Sequence, residues 1–215
     1  MFNFAPNPIA FSFCSFEVHW YGIIITLAIF AGILLFRYFA GTLNPKPYTL
    51  VEPVILGGLV GARLWTVLIE APGYYFIHPF DIIKIWEGGL GIMGAMIGGI
   101  VVLFIMFQKQ FPISNFQFPK FLSLTDLLVP ALALGQAIGR WGNFFNQELY
   151  GLPTNLPWGI FIEPMYRVAG FESYTHFHPT FLYESIGDLV IAGVLVFVIA
   201  RARMPVAISA RRGLP

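Results

Sequence analysis

At 215 residues the chain has the length of one domain, and 57% of it is hydrophobic against 11% charged. A soluble domain carries about 25% charged residues, so this composition excludes a water-facing globule and predicts an integral membrane protein. The formal net charge of +1 brings no clustered basic face, which excludes nucleic acid as a partner, and the single Cys14 excludes an intrachain disulfide and a cysteine metal site.

Residues 1–18 are apolar, contain proline and carry no Lys or Arg. Spans follow from about Trp20 to Phe39, Leu50 to Ile69, Gly89 to Phe107, Leu124 to Trp141 and Phe181 to Ala200. Each is near the roughly 20 residues that cross about 30 Å of hydrocarbon. The expectation is an all-α polytopic protein with about five transmembrane helices. Residues 1–200 form a single bundle with an extracytoplasmic loop at about 147–179, and 201–215 form a basic cytoplasmic tail. That loop is long and rich in Pro and aromatic residues, a composition that favours an ordered cap at the membrane surface. Gly57 and Gly61, Gly94 and Gly98, and Gly135 and Gly139 are small pairs four apart that let helix backbones approach closely.

Positive charge sets the orientation. With the N-terminus outside, the cytoplasmic segments hold Arg37, Lys46, Lys109, Lys120, Arg201, Arg203, Arg211 and Arg212, and the outer loops only Lys84 and Arg167. Such a bias predicts N-terminus out and C-terminus in. Arg63, Arg140, Asn143, Asn146, Glu148, His178, Tyr183 and Glu184 then gather at the outer leaflet, with Tyr21 and Glu87 opening inward-running spans on the same side.

The densest part of that cluster is Gly139-Arg140-Trp141-Gly142-Asn143-Phe144-Phe145-Asn146-Gln147-Glu148-Leu149-Tyr150-Gly151. An Arg at a helix centre in a bilayer costs about 2.5–3.5 kcal/mol on insertion scales, so clustered polar groups at this depth point to a site. A membrane-interface anchor is the alternative; it explains Trp141 and Tyr150 but not two Asn, a Glu and three Gly together. The guanidinium forks of Arg140 and Arg63 suit a phosphate, unless Arg140 merely pairs with Glu148. Asn143 and Asn146 suit glycerol hydroxyls or ester carbonyls, and Gly142 and Gly151 permit close approach of a ligand. His178 is either a structural hydrogen-bonding residue or a proton acceptor. The four histidines lack metal-ligand spacing, and no Gly-x-Ser-x-Gly elbow is present. No metal or other cofactor is expected.

The central stretch resembles the signature Gly-Arg-x-Gly-Asn-Phe-x-Asn-x-Glu-x-x-Gly of the prolipoprotein diacylglyceryl transferases, with all eight fixed positions filled. The similarity runs from about residue 19 to 200. It takes in His19-Trp20-Tyr21-Gly22, Gly61-Ala62-Arg63, Trp86-Glu87-Gly88-Gly89-Leu90 and His178-Pro179-Thr180-Phe181-Leu182-Tyr183-Glu184. The resemblance implies transfer of a diacylglyceryl group from phosphatidylglycerol to the lipobox cysteine of a preprolipoprotein signal peptide. Glycerol phosphate leaves and a thioether forms, at the outer face of a bacterial plasma membrane. It implies Arg140, Asn143 and Glu148 as catalytic, and Arg140, Arg63, Asn146, Gly142, Gly151 and Tyr21 as phospholipid-binding. Glu87, His178, Tyr183 and Glu184 line the site.

Two departures stand out. Met93 occupies a position where related sequences often carry a histidine, and full-length members continue through two further spans bearing another arginine. A shortened form is therefore expected. Two other readings compete with the enzyme: a non-catalytic phospholipid-binding membrane protein, and a small transporter subunit. The transporter reading predicts midplane polar groups and repeat symmetry, which the one-sided cluster does not offer.

Overall fold

The computed structural model describes residues 4–14, 16–41, 50–85, 88–110 and 118–212; Lys46 and Glu87 lie outside the described residues. The chain forms two compact units, one made of residues 1–38 and 126–215 and the other of residues 39–125.

In the first unit, strands β1 (Ile9–Phe13) and β2 (Phe16–His19) form an antiparallel hairpin. Cys14 at its turn has a φ of 55°. The hairpin feeds directly into helix α1 (Trp20–Ala40). Helix α5 (Phe118–Phe145) runs antiparallel to α1, as three near approaches show. A Cβ at Gly32 would lie 3.2 Å from the Ala131 carbonyl, one at Gly135 3.6 Å from the Ala28 carbonyl, and one at Gly139 3.4 Å from Ile25. Helix α6 (Thr180–Arg212) lies against α5 on another side. Ser185 Oγ donates to the Ala137 carbonyl at 2.8 Å, and Phe181 packs on both Trp141 and Phe144.

The connection from α5 to α6 is ordered. A two-residue pairing of β3 (Ile160–Phe161) with β4 (His176–Phe177) ties its middle to its C-terminal end. Ile160, Ile162, Phe177 and Phe181 form a buried cluster, packed by Phe144, Tyr150, Tyr166, Phe171 and Leu182. The aromatic residues of the loop are thus its own core.

The second unit is a helix pair. Helix α2 (Val51–Trp65) continues through a π turn at Thr66–Glu70 and packs antiparallel on α4 (Ile92–Gln110). At Gly61 an added Cβ would meet Gly98 Cα at 2.8 Å; at Gly57 it would meet Val102 Cβ at 2.9 Å. Any side chain there would force the helices apart, which is why the pairs Gly57/Gly61 and Gly94/Gly98 hold glycine. Between the helices, the short helix α3 (Pro72–Ile77) and a 3₁₀ turn (Pro79–Ile83) lead to Gly88 and Gly89, whose φ of 94° and 69° only glycine adopts readily.

Among the described residues, four helices are long and apolar enough to cross a membrane: Trp20–Ala40, Val51–Glu70, Ile92–Lys109 and Thr180–Ala202. Large apolar side chains such as Phe30, Leu56, Ile100 and Val194 are exposed along them, a surface suited to lipid and not to water. The remaining expected span, Leu124 to Trp141, lies within the 28-residue α5, which is not among these four. Asp126, Gln136 and Arg140 lower its hydropathy, and Pro130 inside it removes one backbone donor. Asp126 and Gln136 are exposed, whereas Arg140 is partly covered and meets Glu184 of α6. Among the described residues no buried side-chain polar atom lacks a hydrogen-bond partner. The chain is a polytopic helical membrane protein.

Candidate functional site

Helix α5 ends in the polar stretch, and its last turns build the site of the first unit. Arg140, partly exposed, places Nε 2.8 Å from Glu184 Oε2 on α6. Its partner is Glu184, not the Glu148 considered from sequence. Among the described residues no hydrogen bond or ion pair joins the Arg140 guanidinium to any residue besides Glu184, so the pairing at Nε holds the fork and leaves N–H donors over for a ligand. Such a fork suits bidentate binding of phosphate oxygens.

Glu148 is exposed, yet it is aimed. Asn143 Nδ2 donates to Glu148 Oε1 at 2.9 Å and Asn146 Nδ2 reaches the same oxygen at 3.3 Å. The Glu148 amide closes back on the Asn143 carbonyl at 3.0 Å. Asn143 is itself buried, so its amide acts as a bracket for the carboxylate. Tyr21, in the first turn of α1, lies within electrostatic reach of both Glu148 and Arg140. Gly142 exists for that ring: an added Cβ would stand 2.7 Å from Tyr21 Cδ2.

Gly151 closes the stretch for a similar reason. A Cβ there would lie 2.9 Å from His178 Cβ, and the Gly151 amide donates to the His178 carbonyl at 2.9 Å. His178 Nδ1 lies 3.1 Å from Tyr183 Oη, which also accepts Trp158 Nε1–H at 2.8 Å. Residues of the signature and of the His178–Glu184 segment are therefore brought together. A cleft of about 480 Å³ opens beside them, lined by His19, Asn146, Gln147, Glu148, Tyr150 and Tyr166 among others.

Two residues escaped sequence reasoning. Gln147 is 2% exposed with a φ of 53°; its Nε2 donates to the Pro6 carbonyl at 3.2 Å and its Oε1 accepts the Glu163 amide at 2.8 Å. It pins the N-terminal segment and the loop to the end of α5. His19 lines the cleft from the end of β2; the His19-Trp20-Tyr21-Gly22 landmark contained it without giving it a place in the site.

Arg63 belongs to the second unit and is 7% exposed. All five of its N–H donors meet backbone carbonyls. Nε bonds Ile82 at 2.8 Å, Nη1 bonds Gly88 at 2.7 Å and Gly89 at 2.9 Å, and Nη2 bonds Asp81 and Lys84. Its guanidinium also stacks 5.0 Å from the Tyr75 ring. That geometry leaves no donor for a phosphate, contrary to the headgroup role expected from sequence. Arg63 instead staples the connection between α2 and α4, and Gly89 makes room for it, since a Cβ there would stand 2.7 Å from Nη1.

The model of the family described as prolipoprotein diacylglyceryl transferase matches residues 8–211. The chain is 40% identical over 202 residues to a protein of Trichormus variabilis, covering 92% of this chain and 68% of the relative. It is 40% identical over 195 residues to one of Synechocystis (89% and 66%), and 41% identical over 191 residues to one of Thermotoga maritima (87% and 63%). All three relatives are named phosphatidylglycerol–prolipoprotein diacylglyceryl transferase. The chain spans about two-thirds of their length.

Proposed function

Since the chain belongs to the prolipoprotein diacylglyceryl transferase family, we propose that it moves the diacylglyceryl group of phosphatidylglycerol onto the lipobox cysteine of a prolipoprotein signal peptide. Sulfur forms a bond to the glyceryl carbon, the carbon–oxygen bond to phosphate breaks, and glycerol phosphate leaves. The observation that carries this reading is Arg140, held at Nε by Glu184 with N–H donors to spare, at the polar end of a membrane helix.

Phosphate gains charge as the carbon–oxygen bond breaks, and a preorganised guanidinium stabilises that charge more in the transition state than in the bound lipid. Glu184 fixes the fork's direction, so little reorganisation is needed as the charge develops. Glu148, aimed by Asn143 and Asn146, accepts hydrogen bonds from the departing glycerol's hydroxyls. Tyr21 lines the same polar end, and Gly142 and Gly151 leave room for the Tyr21 ring and for His178. Headgroup binding falls to Arg140 without Arg63. The distribution of Lys and Arg supports an outward-facing site in the bacterial plasma membrane, where a lipoprotein precursor presents its cysteine.

The test is transfer of labelled diacylglyceryl from phosphatidylglycerol vesicles to a lipobox peptide. The purified chain is expected to transfer and Arg140→Ala to lose at least 10³-fold, near the upper range for one electrostatic donor. Full transfer by Arg140→Ala overturns the reading.

A further inference from the structure

Transfer to a thiol also needs a proton acceptor, and the carboxylates at the site are otherwise engaged. Glu184 is neutralised by Arg140, and Glu148 receives two amide donors on one oxygen. The hydrogen-bonded chain Trp158–Tyr183–His178 lies outside both pairings.

Its direction follows from the donor inventory. An indole N–H can only donate, so Tyr183 Oη is the acceptor of the 2.8 Å bond from Trp158. The phenol's own proton is free to go to His178 Nδ1 at 3.1 Å, in the tautomer of neutral His178 that carries its hydrogen on Nε2. The imidazole is built in place. The His178 amide donates to the Leu152 carbonyl at 3.0 Å, its carbonyl accepts from Gly151, Pro179 after it is fully buried, and Thr180 Oγ1 bonds the Leu149 carbonyl. The segment that carries Glu148 therefore also clamps His178. Tyr183 directly precedes Glu184, the partner of Arg140, and both Tyr183 and Trp158 are exposed enough to meet a peptide.

We propose that Tyr183 and His178 form the proton-accepting pair for the incoming cysteine, with Trp158 as the residue that positions the phenol. The inference rests on the transferase reading above. As sulfur bonds to the glyceryl carbon, the S–H proton passes to Tyr183 Oη while the phenol proton moves to His178 Nδ1. The electron pair of the breaking carbon–oxygen bond leaves on the glycerol phosphate oxygen, beside Arg140. His178 ends as imidazolium and releases its proton to water, and Tyr183 is restored. A reference thiol and a reference imidazolium differ by about two pKa units, a gap that the field of a nearby guanidinium narrows by favouring the thiolate.

The experiment compares two lipobox peptides, one with cysteine and one with selenocysteine, whose selenol is already ionised at neutral pH and needs no base. On the cysteine peptide, His178→Gln and Tyr183→Phe are each expected to lose about 10²-fold or more in kcat, the usual scale of base catalysis. On the selenocysteine peptide both variants are expected within about tenfold of wild type, whereas Arg140→Lys stays impaired on both. The pair is overturned by wild-type rates for both variants on the cysteine peptide, or by losses equal on the two peptides, since misfolding would depress both alike. If the wild-type chain transfers to neither peptide, the transferase reading fails and the pair falls with it.

Discussion

Two arginines in the same chain, one in each compact unit, show how differently the same guanidinium can be used. Arg63 is buried and bonds five backbone carbonyls, while Arg140 is part-exposed and pairs at Nε with one carboxylate. The first is saturated and the second is held but open. Both interrupt apolar stretches and both follow a pair of glycines four apart, Gly57/Gly61 and Gly135/Gly139, so their sequence surroundings look alike. What separates them is the backbone they face. Positive φ at Gly88 and Gly89 turns carbonyls toward Arg63, whereas Arg140 looks across to a side chain on a neighbouring helix. A saturated guanidinium stabilises structure; an open one is available to a ligand.

The largest effect expected is therefore on activity at Arg140. Even Arg140→Lys, which keeps the charge, should reduce transfer about 10²-fold, because an ammonium cannot keep the Nε–Glu184 bond and present a planar fork together. Its thermal unfolding in detergent should stay within a few degrees of wild type. Arg63→Gln should do the reverse and lower the unfolding temperature strongly. A neutral amide satisfies two carbonyls at most, and each buried carbonyl left alone costs about 1–3 kcal/mol. If Arg63→Gln kept wild-type stability while weakening phosphatidylglycerol binding, the contrast between the two residues would collapse.

Next in size are the two glycines that make room at the open site. Gly142→Ala would drive a methyl to 2.7 Å from the Tyr21 ring, and Gly151→Ala to 2.9 Å from His178 Cβ. Each should lower the transfer rate about tenfold or more, with binding of phosphatidylglycerol vesicles changed less than turnover. For Gly151 the neighbouring atoms are the His178 backbone and Cβ and the Thr180 methyl, which are poorly able to give way. Unchanged turnover for both variants would show that Tyr21 and His178 tolerate displacement and are not held for function.

Much of the open site was legible in the sequence because its chemistry is local. Arg140, Asn143, Asn146 and Glu148 fall within nine residues, and glycine four residues apart announced the close packing of α2 on α4. Arg63 was legible as a buried charge but not as a staple, since its partners are main-chain atoms 18 to 26 residues away. Gln147 was invisible for the same reason: one of its partners, Pro6, is 141 residues away. The β1–β2 hairpin was readable in principle, because apolar and polar residues alternate in Phe11-Ser12-Phe13 and Phe16-Glu17-Val18-His19, but the apolar composition of residues 1–18 masked that period. The pairing of Arg140 with Glu184 instead of Glu148 depends on α6 returning beside α5, which spacing along one helix could not reveal.

The smallest effect sharpens the account of Arg63. The segment it staples has a second fastening, in which the Asp81 carboxylate takes Lys84 Nζ at 2.7 Å and Tyr74 Oη at 2.7 Å. The Lys84 and Tyr74 hydrogen bonds hold the Asp81 carboxyl below its ordinary value of 3.8. A carboxyl lowered in the folded state contributes stability that is fully present above the ordinary value and lost as pH falls through the lower folded one. The guanidinium bonds to carbonyls do not titrate in that range. Hydrogen exchange at the Lys84 and Gly88 amides should therefore speed only slightly, relative to their intrinsic rates, as pH drops below about 4, and Asp81→Asn should abolish that pH dependence. Complete loss of protection in acid would mean that the carboxylate, and not Arg63, holds the segment. Arg63→Gln removes the fastening that does not titrate and should therefore make the same amides strongly pH-sensitive.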